Sequence, residues 1–242
     1  MQPQQSLLRL LAQRSFRLGE FKLSSGGTSD YYIDCRLTTL SGEGARLTAR
    51  TLLDDMYRRG FAPQAIGGLT LGADPIVTAV AMLSAQQVQS RTAKPSKDAP
   101  RWVVDGFLVR KAEKSHGMKR RIEGFCQSGA RVVIVDDVCT TGASTIEAIE
   151  AARQEGMKVA AVYCLVEREE AGGRANVEKA AGEAPFISLF TARDVREAHI
   201  RLRDAGKLPP VESAATGCEI CGRPAVVMSP RKLCKTHKIG SQ

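Results

Sequence analysis

One stretch of sequence, residues 131–145, constrains the fold of this chain more than any other part of it. Residues 132–135 are Val-Val-Ile-Val, a β-branched apolar run typical of a strand buried on both faces of a parallel sheet. Asp136 and Asp137 follow at once, and a turn rich in Thr, Gly and Ser comes next. Residues 146–153 then have the composition of a helix. The order predicts a βα unit with this turn at the N-terminus of the helix.

The turn has the chemistry of a phosphate site. Backbone N–H groups at a helix N-terminus attract anions, and hydroxyl groups surround them here. The residues concerned are Thr140, Thr141, Gly142, Ala143, Ser144 and Thr145. The carboxylates of Asp136 and Asp137 repel phosphate, but they accept hydrogen bonds from the vicinal hydroxyls of a ribose or hold Mg²⁺ in an outer shell.

Together these features indicate a site for a sugar 5-phosphate. An ordinary strand-to-helix turn with solvated acids is the alternative. The whole pattern resembles the PRPP-binding motif of type I phosphoribosyltransferases. The resemblance implies that Asp136 and Asp137 fix the ribose hydroxyls and that residues 140–145 bind the phosphate.

Residues 21–34 predict two short strands around a Ser/Gly turn. Tyr31 and Tyr32 stand together there, and cross-strand aromatic packing explains them on pattern alone. The string resembles the N-terminal signature of orotate phosphoribosyltransferases, in which an aromatic pair covers the pyrimidine ring. Many members carry a lysine where Ser24 stands. Lys22 lies on the same strand face and is the candidate to replace it.

A second Gly-rich strand, loop and helix begins at Ala65. Residues 65–68 predict a short strand, residues 69–74 a loop, and Pro75 the first residue of a helix capped by Asp74. By resemblance this loop is the family's pyrophosphate loop, and a non-proline cis peptide is expected in residues 69–72, first of all between Leu69 and Thr70. Some members carry a lysine where Leu71 stands, so the charge that neutralises pyrophosphate must come from elsewhere.

Residues 110–124 are strongly cationic. A solvated charge run is the ordinary explanation. The spacing of Arg110, Lys111, Lys114 and His116, followed by Ile-Glu-Gly, resembles the flexible catalytic loop of orotate phosphoribosyltransferases. The resemblance implies that Lys111, Lys114 and His116 stabilise the departing pyrophosphate and that Arg110 contacts substrate. It also implies a homodimer with shared active sites, because in the family this loop reaches into the neighbouring subunit.

Arg168 follows the predicted strand 158–166. Ligands of open α/β sheets bind at the carboxyl ends of the strands, and a guanidinium group matches a planar carboxylate. A surface salt bridge with Glu167 or Glu169 explains the residue equally well from spacing alone. The resemblance assigns the position to an arginine that contacts orotate.

The C-terminal part predicts a separate metal module. Residues 208–217 are the predicted linker between a phosphoribosyltransferase domain at 1–207 and a zinc-binding module at 218–242. Two pairs of candidate ligands, each with a two-residue gap, suit a structural Zn²⁺ site. They are Cys218, Cys221, Cys234 and His237. A disulfide pair is the alternative.

Bulk properties limit the possible classes. The chain has 242 residues and a formal net charge of +9, which suits either nucleic acid or phosphate-rich substrates; nucleic acid is not the partner we expect. No apolar run approaches the roughly 20 residues that span a bilayer. The other four cysteines are scattered, so we predict reduced thiols and a cytoplasmic location. The βα alternation predicts an open parallel sheet flanked by helices, and the resemblance adds a small hood.

The resemblance therefore implies an enzyme that transfers the phosphoribosyl group of PRPP to orotate with Mg²⁺. The products would be orotidine 5′-monophosphate, in de novo pyrimidine synthesis, and pyrophosphate. Two alternatives stay open at this point. One is a regulator that keeps the fold as a nucleotide sensor and binds nucleic acid, and the other is a phosphoribosyltransferase for another base.

Overall fold

The computed structural model describes residues 2–22, 28–93, 102–111 and 121–208, with two short strands at 227–228 and 232–233. The chain divides into two compact units, Met1–Ala205 and Gly206–Gln242. The first unit contains eight strands and seven α-helices in its described residues. The strands are β1 (Phe16–Lys22), β2 (Thr28–Ile33), β3 (Ala65–Leu69), β4 (Asp105–Val109), β5 (Ile122–Gly124), β6 (Arg131–Cys139), β7 (Lys158–Glu167) and β8 (Phe186–Thr191).

Six of these strands form the central sheet in the order β5-β4-β3-β6-β7-β8. Strands β3, β4, β6, β7 and β8 are parallel, as predicted. Strand β5 is antiparallel to β4. The sheet is therefore mostly rather than wholly parallel, and its edge strand comes from the end of the cationic segment.

The helices are α1 (Pro3–Arg14), α2 (Arg36–Thr39), α3 (Gly42–Arg58), α4 (Asp74–Ala93), α5 (Ala143–Gln154), α6 (Gly173–Ala181) and α7 (Ala192–Asp204). They cover the sheet on both faces. Helices α1, α3, α4 and α7 share one buried cluster with Val133 and Val135 of β6. Helices α5 and α6 share the other with Val132 and Ile134. Successive residues of β6 thus point into opposite cores, as the period of a strand requires.

Strand β6 is the buried centre of the sheet. Residues 132–135 are at most 1% exposed, and β6 pairs with β3 on one side and β7 on the other. The prediction of a doubly buried strand is confirmed. Its end was predicted wrongly, because the ladder with β7 continues through Asp136 to Cys139. The two carboxylates therefore belong to the last part of a strand and are held by its hydrogen bonds.

Strands β1 and β2 form a separate antiparallel hairpin. Phe16 of β1 stacks on Tyr31 of β2, with ring centroids 5.4 Å apart. It also contacts the ring of His199 of α7, which is tilted against it with centroids 5.0 Å apart. His199 Nδ1 lies 2.7 Å from the carbonyl oxygen of Ala12 in α1. This packing fixes the hairpin to two helices, so that it forms the predicted hood.

In the second unit the structure describes one antiparallel pair of short strands, Val227–Met228 and Lys232–Leu233. Cys218, Cys221, Cys234 and His237 lie outside the described residues. Of the helices that the structure describes, none combines the length and the apolar character that crossing a membrane requires.

Candidate active site

The β6–α5 turn is built around Gly142. This residue has φ of +82°, a conformation that favours glycine, and α5 begins directly after it. The first N–H groups of an α-helix have no acceptor within the helix, so they point towards the space in front of the turn. Asn176 of α6 braces the turn from behind, because its Nδ2 donates to the carbonyl oxygen of Thr141 at 3.0 Å. The turn therefore presents donors in a fixed arrangement.

The acidic pair is held by hydrogen bonds to its own βα unit. Thr145 Oγ1 donates to Asp136 Oδ2 at 2.7 Å, and the backbone N–H of Asp137 donates to Asp136 Oδ1 at 3.0 Å. The N–H of Val138 donates to Asp137 Oδ1 at 2.9 Å. Thr145, predicted to bind phosphate, instead orients Asp136 in this structure.

Burial dominates the electrostatics of this pair. Desolvation raises the pKa of Asp136 to about 7, with the Thr145 hydrogen bond opposing and the neighbouring Asp137 adding to the rise. Desolvation also raises the pKa of Asp137, while the guanidinium of Arg36 acts in the opposite direction. A ligand that brings hydrogen-bond donors to these carboxylate oxygens would lower the free-energy cost of keeping them charged in a buried position.

Both carboxylates line a cleft of about 520 Å³ at the carboxyl ends of the parallel strands. The cleft brings together residues that the sequence analysis assigned to different motifs. They are Tyr32, Lys111, Asp136, Asp137, Thr140, Ser144 and Arg168. Ligand sites of open α/β sheets lie at this edge.

The β3–α4 loop forms another wall of the cleft. Residues 69–72 line it, and the peptide bond between Thr70 and Leu71 is cis. A non-proline cis bond was predicted within this loop, but between Leu69 and Thr70, so its position is corrected by one residue. Gly72 lies directly against the acidic pair, since a Cβ atom there would be 2.4 Å from Asp137 Oδ1.

The two tyrosines of the hairpin point to opposite sides of β2. Tyr32 is 45% exposed and lines the cleft, where its ring lies 5.5 Å from that of Phe21. Tyr31 is 7% exposed and packs on Phe16 in the hood. The aromatic pair that faces the cleft is therefore Phe21 and Tyr32. Strand alternation predicts this, and Phe21 was missed because the adjacent tyrosines were taken together.

Arg168 links the hood to the cleft. Its Nε donates to the hydroxyl of Tyr31 at 3.0 Å, its Nη2 donates to Ser29 Oγ at 3.2 Å, and its guanidinium lies 4.6 Å from the centre of the Tyr31 ring. The ion pair of this arginine is with Glu170, at 3.0 Å. Glu167 pairs with Arg174 instead. Tyr31 thus positions an arginine that lines the cleft.

The basic residues that were predicted for the site lie in different places. Lys111 lines the cleft, whereas Arg110 forms an ion pair with Glu123 of β5 at 3.0 Å. Lys114 and His116 lie outside the described residues. The structure describes the backbone of Lys22 in β1 but not its side chain.

Two further charged residues of the cleft were missed by the sequence analysis. Asp34 and Arg36 flank the start of α2 and both line the cleft. The signal was the sequence Ile-Asp-Cys-Arg directly after the tyrosines, which was read only as the end of a strand. Helix α6, which carries Asn176, was not predicted either.

Comparison with known proteins gives the family of the chain. Residues 110–189 match the sequence model of the phosphoribosyl transferase domain. Fold, phosphate turn and acidic pair thus define the class of phosphoribosyltransferases.

Relatives and solved structures identify one family within this class. The chain is 42% identical over 193 residues to an orotate phosphoribosyltransferase from Aquifex aeolicus, covering 78% of this chain and 96% of that one. The crystal structure of Mycobacterium tuberculosis H37Rv orotate phosphoribosyltransferase with Fe(III) dicitrate is 33% identical, with a TM-score of 0.64, and covers 80% of this chain and 98% of that chain. A structure of that enzyme in complex with PRPP is 27% identical, with a TM-score of 0.58, 80% of this chain and 91% of that one being covered. The chain belongs to the orotate phosphoribosyltransferase family.

Proposed function

We propose that the cleft binds PRPP and orotate together and transfers the phosphoribosyl group to orotate, with release of pyrophosphate. One observation carries this proposal: residues of the β6–α5 turn, the acidic pair, the aromatic pair Phe21 and Tyr32, and Arg168 meet in a single cleft. The turn would hold the 5-phosphate. Asp136 and Asp137 would hold the ribose hydroxyls. The aromatic pair would cover the pyrimidine ring, and Arg168 would face its carboxylate.

The chemistry is a substitution at the anomeric carbon. A bond forms from a ring nitrogen of orotate to this carbon, and the bond from the carbon to the pyrophosphate oxygen breaks through a cation-like transition state. Little acid–base work is needed at the carbon, so the main demand is to stabilise charge on the leaving pyrophosphate. Lys111 lies at the cleft for this task, and Lys114 and His116 follow it in sequence.

Magnesium fits the donor set of the cleft. Mg²⁺ binds through one or two carboxylates together with substrate phosphates. The buried carboxylate of Asp136 and the half-buried one of Asp137 lie beside the β6–α5 turn. When bound, Mg²⁺ would neutralise charge on the pyrophosphate.

A homodimer with shared sites is part of the proposal. Three apolar side chains beside the cleft are strongly exposed: Leu40 at 71%, Leu71 at 64% and Met82 at 58%. They line one groove, and Arg36 and Leu71 border both this groove and the cleft. Exposed apolar patches of this kind mark protein interfaces. We propose that a second copy of the chain covers this face.

The test measures consumption of orotate and PRPP and release of pyrophosphate by the purified chain. Lys114→Ala should lower turnover by about 10²–10³-fold, the usual cost of losing one preorganised contact to developing charge, with less effect on PRPP binding. Lys179→Ala, on α6, is the matched control. An unchanged turnover in the Lys114 variant would contradict the role of the loop.

Mixing two inactive variants tests the shared site. If the loop acts in the partner's cleft, Lys114→Ala mixed with Asp137→Asn forms hybrid dimers with one intact site, and activity should return to about a quarter of the wild-type value. No recovery after unfolding and refolding the mixture would contradict sharing.

The tail is proposed to hold a structural zinc ion. The support is the donor set itself: three thiolates and one imidazole at the spacing of closed tetrahedral sites, with no position left for water. The four cysteines of the described residues, Cys35, Cys126, Cys139 and Cys164, are free thiols. Reduced thiols suit the cytoplasmic location that we propose.

A further inference from the structure

The cleft contains a cationic side chain to which the preceding mechanism gives no part. Among the described residues three cations line it: Lys111, Arg168 and Arg36. Arg168 is engaged by Tyr31 and Ser29 of the hood and by Glu170. Arg36 borders both the cleft and the neighbouring groove together with Leu71 of the β3–α4 loop, and that loop contributes no cation of its own to the cleft.

Asp34 fixes the orientation of the Arg36 side chain. Arg36 Nε donates to Asp34 Oδ1 at 2.9 Å and Arg36 Nη2 donates to Asp34 Oδ2 at 3.0 Å. The Asp34 carboxylate also accepts from the backbone N–H of Arg36 at 3.1 Å, so the pair forms a rigid unit at the start of α2. A guanidinium group has five N–H donors. Asp34 engages two of them, and the Arg36 side chain, 45% exposed, can offer others to a ligand.

The charges around Arg36 identify the side of the cleft that it faces. Burial raises the pKa of Asp137, and the guanidinium of Arg36 acts against that rise. Asp34 raises the pKa of Arg36 most, and Asp137 adds to the rise. Arg36 is thus close to the carboxylate expected to hold the ribose, on the side of the β3–α4 loop. With the 5-phosphate in the β6–α5 turn, the pyrophosphate of PRPP extends from the other end of the ribose, towards that loop.

We propose that Arg36, oriented by Asp34, binds the pyrophosphate group of PRPP and supplies the cation that the β3–α4 loop lacks. This inference rests on the proposed function and adds a residue to it. Because Arg and phosphate form charge-assisted and bidentate hydrogen bonds, the contact strengthens as the C1–O bond breaks and negative charge collects on the leaving pyrophosphate. Asp34 is a positioning residue.

Two ligands that differ only in the pyrophosphate group test the proposal. The dissociation constants of PRPP and of ribose 5-phosphate are measured by calorimetry on wild type and Arg36→Gln, each with Mg²⁺. We expect PRPP to bind about tenfold or more weakly in the variant, with ribose 5-phosphate unchanged. Arg50→Gln is the matched control, because Arg50 has the same exposure (46%) and a similar ion pair, 2.8 Å from Asp54, away from the cleft.

Each other outcome overturns the assignment. Equal weakening of both ligands would mean that Arg36 supports the cleft as a whole, and weakening of orotate alone would place it at the base. Arg36→Lys keeps the positive charge but loses the paired N–H donors of the guanidinium group. It should show an intermediate loss of PRPP affinity, and it replaces Arg36→Gln in the test if that variant does not fold. A wild-type chain that binds neither PRPP nor ribose 5-phosphate would refute the proposed function itself.

Discussion

At the scale of single residues, the site contains an ionisable carboxyl group in a buried position. Asp136 is 7% exposed at the centre of the sheet. Among the described residues, the hydrogen bonds to its carboxylate come from the Thr145 hydroxyl and from a backbone N–H. A buried carboxylate held in this way costs folding free energy. Such a cost is typical of residues kept for binding rather than for stability.

The pKa of Asp136 makes this cost measurable. Because the folded-state pKa is raised to about 7, the penalty is fully present above pH 7, shrinks as the pH falls, and disappears below about pH 4, the value for an unfolded Asp. Asp136→Asn should therefore unfold at a higher temperature than wild type at pH 8, and the difference should vanish near pH 4. The same variant should bind PRPP more weakly.

Thermal unfolding from pH 4 to pH 8 and calorimetry with PRPP measure the two effects. Asp54→Asn, at the ion pair with Arg50 on α3, makes the same change in net charge away from the cleft. A variant less stable than wild type at pH 8 would show that Asp136 is not under this penalty.

At the scale of elements, the βα unit at residues 131–154 was predictable and some short elements were not. Strand β6 and helix α5 show clear periodicity and composition, so the turn between them was located correctly. Helix α2 has four residues and β5 has three, too few to show a period. Helix α6 has nine residues and begins at the second glycine of a Gly-Gly pair. These elements place Arg36 and Asn176, which explains why both residues were missed.

Gly142 tests whether the conformation of the turn matters. Its φ is +82°, and a Cβ atom would lie 2.6 Å from Val177 Cγ2. Gly142→Ala should destabilise the fold and weaken binding of ribose 5-phosphate, because the N–H groups of the turn would shift. Gly129→Ala is the control, with φ of +79° and open space around the new methyl group. It should cost about 1–2 kcal/mol of stability and leave binding unchanged.

Chemical denaturation and calorimetry give both quantities. Similar destabilisation in the two variants, with normal ligand binding in each, would mean that the turn tolerates the side chain and that its conformation is not required.

At the scale of the whole molecule, the sequence predicted an open parallel sheet, because βα alternation admits few arrangements. The antiparallel β5 edge could not be anticipated, since it depends on where a cationic segment returns to β4. The sequence also predicts a metal-binding tail from the spacing of its cysteines, and that prediction lies outside the described residues. The first unit, Met1–Ala205, contains every residue assigned to the cleft.

A chain ending at Ser213 should therefore keep its activity with orotate and lose bound zinc. The full chain, purified without chelator, should carry one zinc ion per chain by elemental analysis, and the shortened chain none. Full-length protein without zinc would refute the metal site. Loss of activity in the shortened chain, with its fold intact, would mean that the tail contributes to catalysis.

The most direct test of the central claim compares the rates at which the protein uses different bases as the acceptor. Steady-state turnover of PRPP with Mg²⁺ is measured in parallel with orotate, uracil and adenine. If Arg168 faces a carboxylate and Tyr32 a pyrimidine ring, orotate should give the highest kcat/KM, uracil should be poorer by about 10²-fold or more for lack of the carboxylate, and adenine should not react. Turnover with adenine but not with orotate would contradict the account.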